Sequence, residues 1–186
     1  MQLDKIRKIS TAGTVICIIA VVIYIISAML LLFGTDSLME FANDSMNNMA
    51  DIDSNSPSAG FEVIAYLAGG GLGFIGGLFA FLLAFICGIL AVYQIPAILS
   101  GLIANSKYKK NNAETKCIGY YNTDGYIKTI MNGIVVLLTI LLLLSDIKAA
   151  SILDILGLLA AAWNFIVVFV LGIVQIRCIR ELYILH

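Results

Sequence analysis

Apolar residues gather in four long runs, at about 10–33, 63–95, 126–145 and 155–176, with polar stretches between them. A hydrocarbon core of roughly 30 Å is crossed by about 20 helical residues, so the pattern predicts an all-α protein with four transmembrane helices. The second run is ambiguous, because no charge occurs from Val63 to Ser106, and a straight helix of that length would reach roughly 66 Å. A pair of spans needs a polar turn, yet the middle of the run reads Phe81-Leu-Leu-Ala-Phe-Ile-Cys87. It therefore reads as one span that ends near Pro96, which lacks an N–H and disfavours helix at the residue before it. Ala97–Ser106 is then expected as an interfacial helix.

Within the second span small residues recur at Gly69, Gly73, Gly77, Ala80, Ala84 and Gly88, in steps of three and four that place them on one helix face. Close backbone approach through such faces drives helix association in lipid, so this row is expected to be a packing seam, within the chain or between copies. Polar side chains in the other spans, Asn132 and Thr139 in the third and Asp154 and Asn164 in the fourth, are expected to point into one four-helix bundle, since an amide facing lipid would go unsatisfied. They could alternatively line a permeation path.

Charge orients the spans. Lys5, Arg7 and Lys8 precede the first span; Lys107, Lys109, Lys110 and Lys116 follow the second; Lys128 opens the third; Arg177 and Arg180 follow the fourth. Only Lys148 lies on the opposite side. By the positive-inside rule both termini and the basic loop 97–125 are expected in the cytoplasm, and the acidic stretch 34–62 outside. The outer stretch holds Asp36, Glu40, Asp44, Asp51, Asp53 and Glu62. Within the inner loop, Asn122-Thr-Asp-Gly125 reads as a turn, and in the outer one Ser37 and Glu40 form a capping-box pattern that starts a helix. Composition agrees with lipid as the solvent: 61% of the 186 residues are hydrophobic and 12% charged, against about a quarter charged in soluble domains. The first span lacks a cleavage site of the A-x-A kind, so it reads as an uncleaved anchor. Cys17, Cys87, Cys117 and Cys178 have no partner in the outer stretch and read as packing thiols, with lipidation of Cys117 or Cys178 as the other reading.

Recognisable chemistry is sparse. Gly71-Leu-Gly73-Phe-Ile-Gly76 matches a dinucleotide fingerprint but lacks the strand and the later acidic residue that the motif needs, and it follows from the glycine row. The one histidine is His186, which excludes paired-histidine zinc sites and histidine triads. No carboxylate lies deep in a predicted span; Asp154 is the closest and sits near the outer boundary, an argument against proton coupling.

Asp51, Asp53, Asn55 and Glu62 reproduce the ligand spacing of an EF-hand, but Ser56 replaces the expected glycine and Pro57 follows. Calcium, if bound there, belongs to the weak regime of about 0.1–1 mM. Met39, Met46 and Met49 resemble a thioether set for copper(I), against a plain amphipathic helix, and Asn43-Asp44-Ser45 is a glycosylation sequon.

The expectation is a non-enzymatic integral membrane interaction protein without a cofactor, of an accessory, immunity or assembly type, in a bacterial cytoplasmic membrane. Its partners are the bilayer and a membrane protein or a second copy, with no nucleic acid. The alternative is a small oligomeric channel or passive carrier.

Overall fold

The structure is a computed structural model that describes residues 2–52, 58–110, 116–145 and 152–184, with side chains except at 110, 116, 142, 145, 152–160 and 184. Five α-helices follow in order: α1 (Gln2–Ala50), α2 (Ala59–Tyr93), α3 (Ile95–Lys110), α4 (Lys116–Ser145) and α5 (Ile152–Ile184), with no strand among the described residues. Four helical stretches are long and apolar enough to cross a membrane: Gln2–Ala50, Ala59–Lys109, Cys117–Leu141 and Ala161–Tyr183. The chain has the make-up of a multi-pass membrane protein.

Each helix outruns the span expected for it. α1 passes through Gly34 and continues for 49 residues in all, about 74 Å. A mid-helix glycine costs only about 1 kcal/mol, and the hydroxyls that looked like stop and start signals fold back on their own helix. Thr35 Oγ1 donates to the Leu31 carbonyl at 2.9 Å, and Ser37 Oγ to the Phe33 carbonyl at 3.3 Å. Ser37 is therefore not an N-cap, and most of the acidic outer stretch is helix. The N-cap lies at Ser58, whose carbonyl accepts from the amides of Phe61 and Glu62 at 2.9 and 3.0 Å. α2 and α3 separate at Gln94, whose carbonyl accepts the Ile98 amide at 3.1 Å. That leaves Pro96 in the first turn of α3, where its missing donor is tolerated. The turn expected at 122–125 is absent, because α4 starts at Lys116 and runs through it.

Two compact units make up the chain, Met1–Val21 with Tyr93–His186, and Val22–Val92. In the first, α3 is a packed element. Its small row Ala97, Gly101 and Ala104 is fully buried. Ala104 packs with Ile6 of α1, with Cys117, Ile118 and Tyr121 of α4, and with Ile179 of α5, while Ala97 packs with Cys17 and Val168. Close crossings are set by glycine: a Cβ on Gly172 would lie 2.5 Å from Thr129 Oγ1 and 3.1 Å from the Gly125 carbonyl, and one on Gly133 would lie 2.9 Å from Phe169.

In the second unit α2 lies against the second half of α1 through the predicted row. A Cβ on Gly73 would meet the Leu38 carbonyl at 2.9 Å and Ala42 Cβ at 3.1 Å; one on Gly77 would meet Met39 at 3.2 Å, and one on Gly69 Ser45 Oγ at 3.3 Å. Ala84 is buried and Ala80 half-buried, but Gly88 is exposed with nothing within 4 Å of its Cβ position. The seam thus runs beside residues 38–46 of α1, the acidic part of that helix, and fades towards the other end of α2. Met39, Phe41 and Ala42 serve as its counterpart, while Met46 meets Gly70, a buried glycine beside the predicted row.

Candidate functional site

The first unit holds a connected set of buried polar side chains assembled from four helices. On α4, Asp124, Lys128 and Asn132 recur every fourth residue and so share one face. Ser10 and Thr14 of α1, Ser100 of α3 and Gln175 of α5 meet that face. Lys128 and Asp124 form an ion pair at 2.8 Å, with side chains 1% and 0% exposed.

Burying two charges costs several kcal/mol per ion unless every lone pair and proton is matched, and here the matching is extensive. Asp124 Oδ2 accepts from Lys128 Nζ at 2.8 Å, Ser10 Oγ at 2.8 Å and Gln175 Nε2 at 3.0 Å. Its Oδ1 accepts from Ser100 Oγ at 2.7 Å. Lys128 Nζ donates in addition to the Ser10 carbonyl at 2.8 Å and to Thr14 Oγ1 at 3.0 Å, which uses all three of its protons. The lysine fits because glycine flanks it: Cβ atoms on Gly13 and Gly101 would lie 3.4 and 3.1 Å from Nζ.

A second layer continues along α4. Asn132 Nδ2 donates to the Lys128 carbonyl at 2.8 Å, and its Oδ1 accepts from Gln94 Nε2 at 3.2 Å. The Tyr93 hydroxyl donates to the Met131 carbonyl at 2.8 Å. Gln175 Nε2 reaches the Tyr121 carbonyl at 2.6 Å, leaving its Oε1 buried with no partner among the described residues. Both neighbours of Nε2 are acceptors, so a flipped amide would not improve the fit. The arrangement cross-links four helices and holds no exposed nucleophile or acid.

Of the residues singled out in the sequence, Asn132, Thr139 and Asn164 are buried in the first unit. Thr139 Oγ1 donates to the Val135 carbonyl of its own helix at 2.9 Å. Asp154 belongs to α5, and its side chain lies outside the described residues, as do Asp53 and Asn55 of the calcium spacing. Glu62 accepts from Ser58 Oγ at 2.6 Å and so serves the start of α2, while Asp51 is exposed. Among the described residues no three His, Cys, Asp or Glu side chains gather as a metal site. Cys17 and Cys117 are buried thiols, and Cys117 Sγ donates to the Lys107 carbonyl at 3.5 Å.

Sequence reasoning missed the ion pair. Asp124 read as part of a turn and Lys128 as the edge of a span, yet both fall inside the stretch Cys117–Leu141. The carboxylate so placed is neutralised where it lies, by the lysine one turn along its own helix. The signal that could have found the pair was the four-residue step Asp124–Lys128–Asn132, matched by Ser10–Thr14.

On the second unit, Asp36, Glu40 and Asp44 also recur every fourth residue and all three are exposed. That unit contains no Lys or Arg at all. Like charges at this spacing disfavour a helix by about 0.2–0.5 kcal/mol per pair, so the row carries an uncompensated negative potential. Comparison of the chain with protein-family models, with curated proteins and with solved structures returned no match.

Proposed function

We propose that this chain is a non-enzymatic integral membrane interaction protein, an accessory, immunity or assembly-type subunit of a bacterial cytoplasmic membrane. Its four spans form one bundle with both termini in the cytoplasm, and the acidic end of α1 faces outward. The observation that carries the reading is the row Asp36–Glu40–Asp44, presented on an exposed helix face without a single cation in its unit. Such a face costs helix stability by itself and gains it back on meeting a cationic partner, which it would also attract at long range. The glycine seam supports the same reading, since close packing of α2 against residues 38–46 fixes the stretch of α1 that bears the acidic row.

The channel alternative draws less support from the polar residues that suggested it. Asn132 and Thr139 direct their donors to carbonyls of α4 itself, and the Asp124 carboxylate is saturated by its neighbours. No cofactor enters the reading, and the weak calcium spacing is left without a role.

The test is the triple variant Asp36→Asn/Glu40→Gln/Asp44→Asn, compared with the native chain by affinity purification from native membranes. The expected result is loss of a stoichiometrically bound partner with helicity kept and thermal stability equal or slightly raised, since like-charge repulsion along the row is removed. Equal partner recovery from the neutralised and native chains would contradict the proposal.

A further inference from the structure

Where α4 and α5 touch at Gly125 and Gly172, the residue after each glycine turns onto the outer surface, and Tyr126 and Ile173 flank a groove of about 360 Å³. Ile176, Arg177 and Arg180 complete its lining. Along α5 the order is apolar, then basic. From Ile173 to Arg180 the helix rises by about 10 Å, passing from exposed aliphatic surface to two exposed guanidinium groups near the end of the membrane-crossing stretch Ala161–Tyr183. Arg177 is held only by an exposed contact to Glu181 at 3.3 Å, and Arg180 makes no ion pair among the described residues.

This is the chemistry of an anionic phospholipid seen end-on. Aliphatic walls take the upper acyl chain, a tyrosine ring sits at headgroup level, and arginine grips phosphate with paired N–H donors. Basic pockets between membrane helices favour anionic headgroups, each cation near the surface adding about fivefold in affinity. We infer that the groove of Tyr126, Ile173, Ile176, Arg177 and Arg180 is a binding site for one anionic phospholipid of the surrounding bilayer. Surface charge alone is a weaker account, because Lys107 and Lys109 lie on the same unit yet line no wall of this groove.

The experiment is native mass spectrometry of protein released from nanodiscs of equal phosphatidylglycerol and phosphatidylcholine. The native chain is compared with Arg177→Gln/Arg180→Gln and with Lys107→Gln/Lys109→Gln. One retained phosphatidylglycerol is expected on the native chain and on the lysine variant, with affinity reduced roughly thirtyfold in the arginine variant. Inorganic phosphate at millimolar concentration is expected not to displace the lipid. Equal loss in both variants would reduce the effect to diffuse charge. Retention by the arginine variant, indifference to headgroup, or displacement by phosphate would each overturn the site. Because both arginines are exposed, unchanged thermal unfolding of that variant is the control for folding.

Discussion

Replacing Lys128 with methionine keeps the unbranched stem of the side chain to within one atom and removes its charge, which makes it the sharpest probe of the buried polar set. In the variant Asp124 still accepts from Ser10, Ser100 and Gln175, but no cation balances it. Breaking a buried pair from one side costs about 3–5 kcal/mol. The lysine's other partners suffer little, since the Ser10 carbonyl keeps the Thr14 hydroxyl at 2.8 Å.

The double variant Asp124→Leu/Lys128→Met is expected to recover most of the loss. Ser100 Oγ retains the Ala97 carbonyl at 3.1 Å, Gln175 retains the Tyr121 carbonyl, and Ser10 can turn its hydroxyl onto the preceding turn of its helix. Apolar replacement of a whole buried pair is often neutral or stabilising. Unfolding by SDS in mixed micelles, followed through the single tryptophan Trp163 in the same unit, gives the four corners of a double-mutant cycle. The expected coupling is about 3 kcal/mol. A single-variant cost below about 1 kcal/mol, or additive effects, would refute the view that the pair is a matched unit locking α1, α3, α4 and α5.

Other outcomes follow from the glycine contacts and the burial pattern. Gly172→Ala places a methyl against the Thr129 hydroxyl and amide and should cost about 1–3 kcal/mol by overpacking, whereas Gly88→Ala, with open space around it, should be neutral or slightly stabilising in the same unfolding assay. Gly73→Leu should separate α2 from residues 38–42 of α1, read as faster proteolysis between the two helices; an unchanged cleavage rate would remove the seam. Maleimide labelling in detergent should proceed at Cys87 and Cys178, which are half-buried, and stall at Cys17 and Cys117, which are buried; rapid labelling of Cys117 would contradict the packing around α3. Asn164→Leu should leave ion or solute flux into liposomes indistinguishable from that of the native chain, and a loss of flux would favour the channel.

Four apolar runs were plain in the sequence because their length and lack of charge admit few other structures. The break at Gln94 was legible too, through Pro96. So was the row Gly69, Gly73, Gly77, whose spacing is a property of one helix; its fading at Gly88 was not, because it depends on where the neighbouring helix lies. Gly34, Thr35 and Ser37 misled for a similar reason: each is an ordinary boundary residue. With the hydroxyls of Thr35 and Ser37 bonded to carbonyls of the preceding turn and residues 38–46 packed on α2, the helix gains more by continuing than by stopping. Asp124 misled most. An acidic residue in Asn-Thr-Asp-Gly reads as a turn when only its neighbours are considered, and its partners Ser10, Ser100 and Gln175 lie 114, 24 and 51 positions away. Only the step to Lys128 was local.

Intact mass of the chain, affinity-purified from native membranes in a mild detergent, tests the interaction reading most directly. A complex heavier than the 20.1 kDa chain by one defined cationic partner, lost when Asp36, Glu40 and Asp44 are neutralised, is the result the account predicts. A clean homo-oligomer that conducts ions in liposomes and is indifferent to that neutralisation would contradict it.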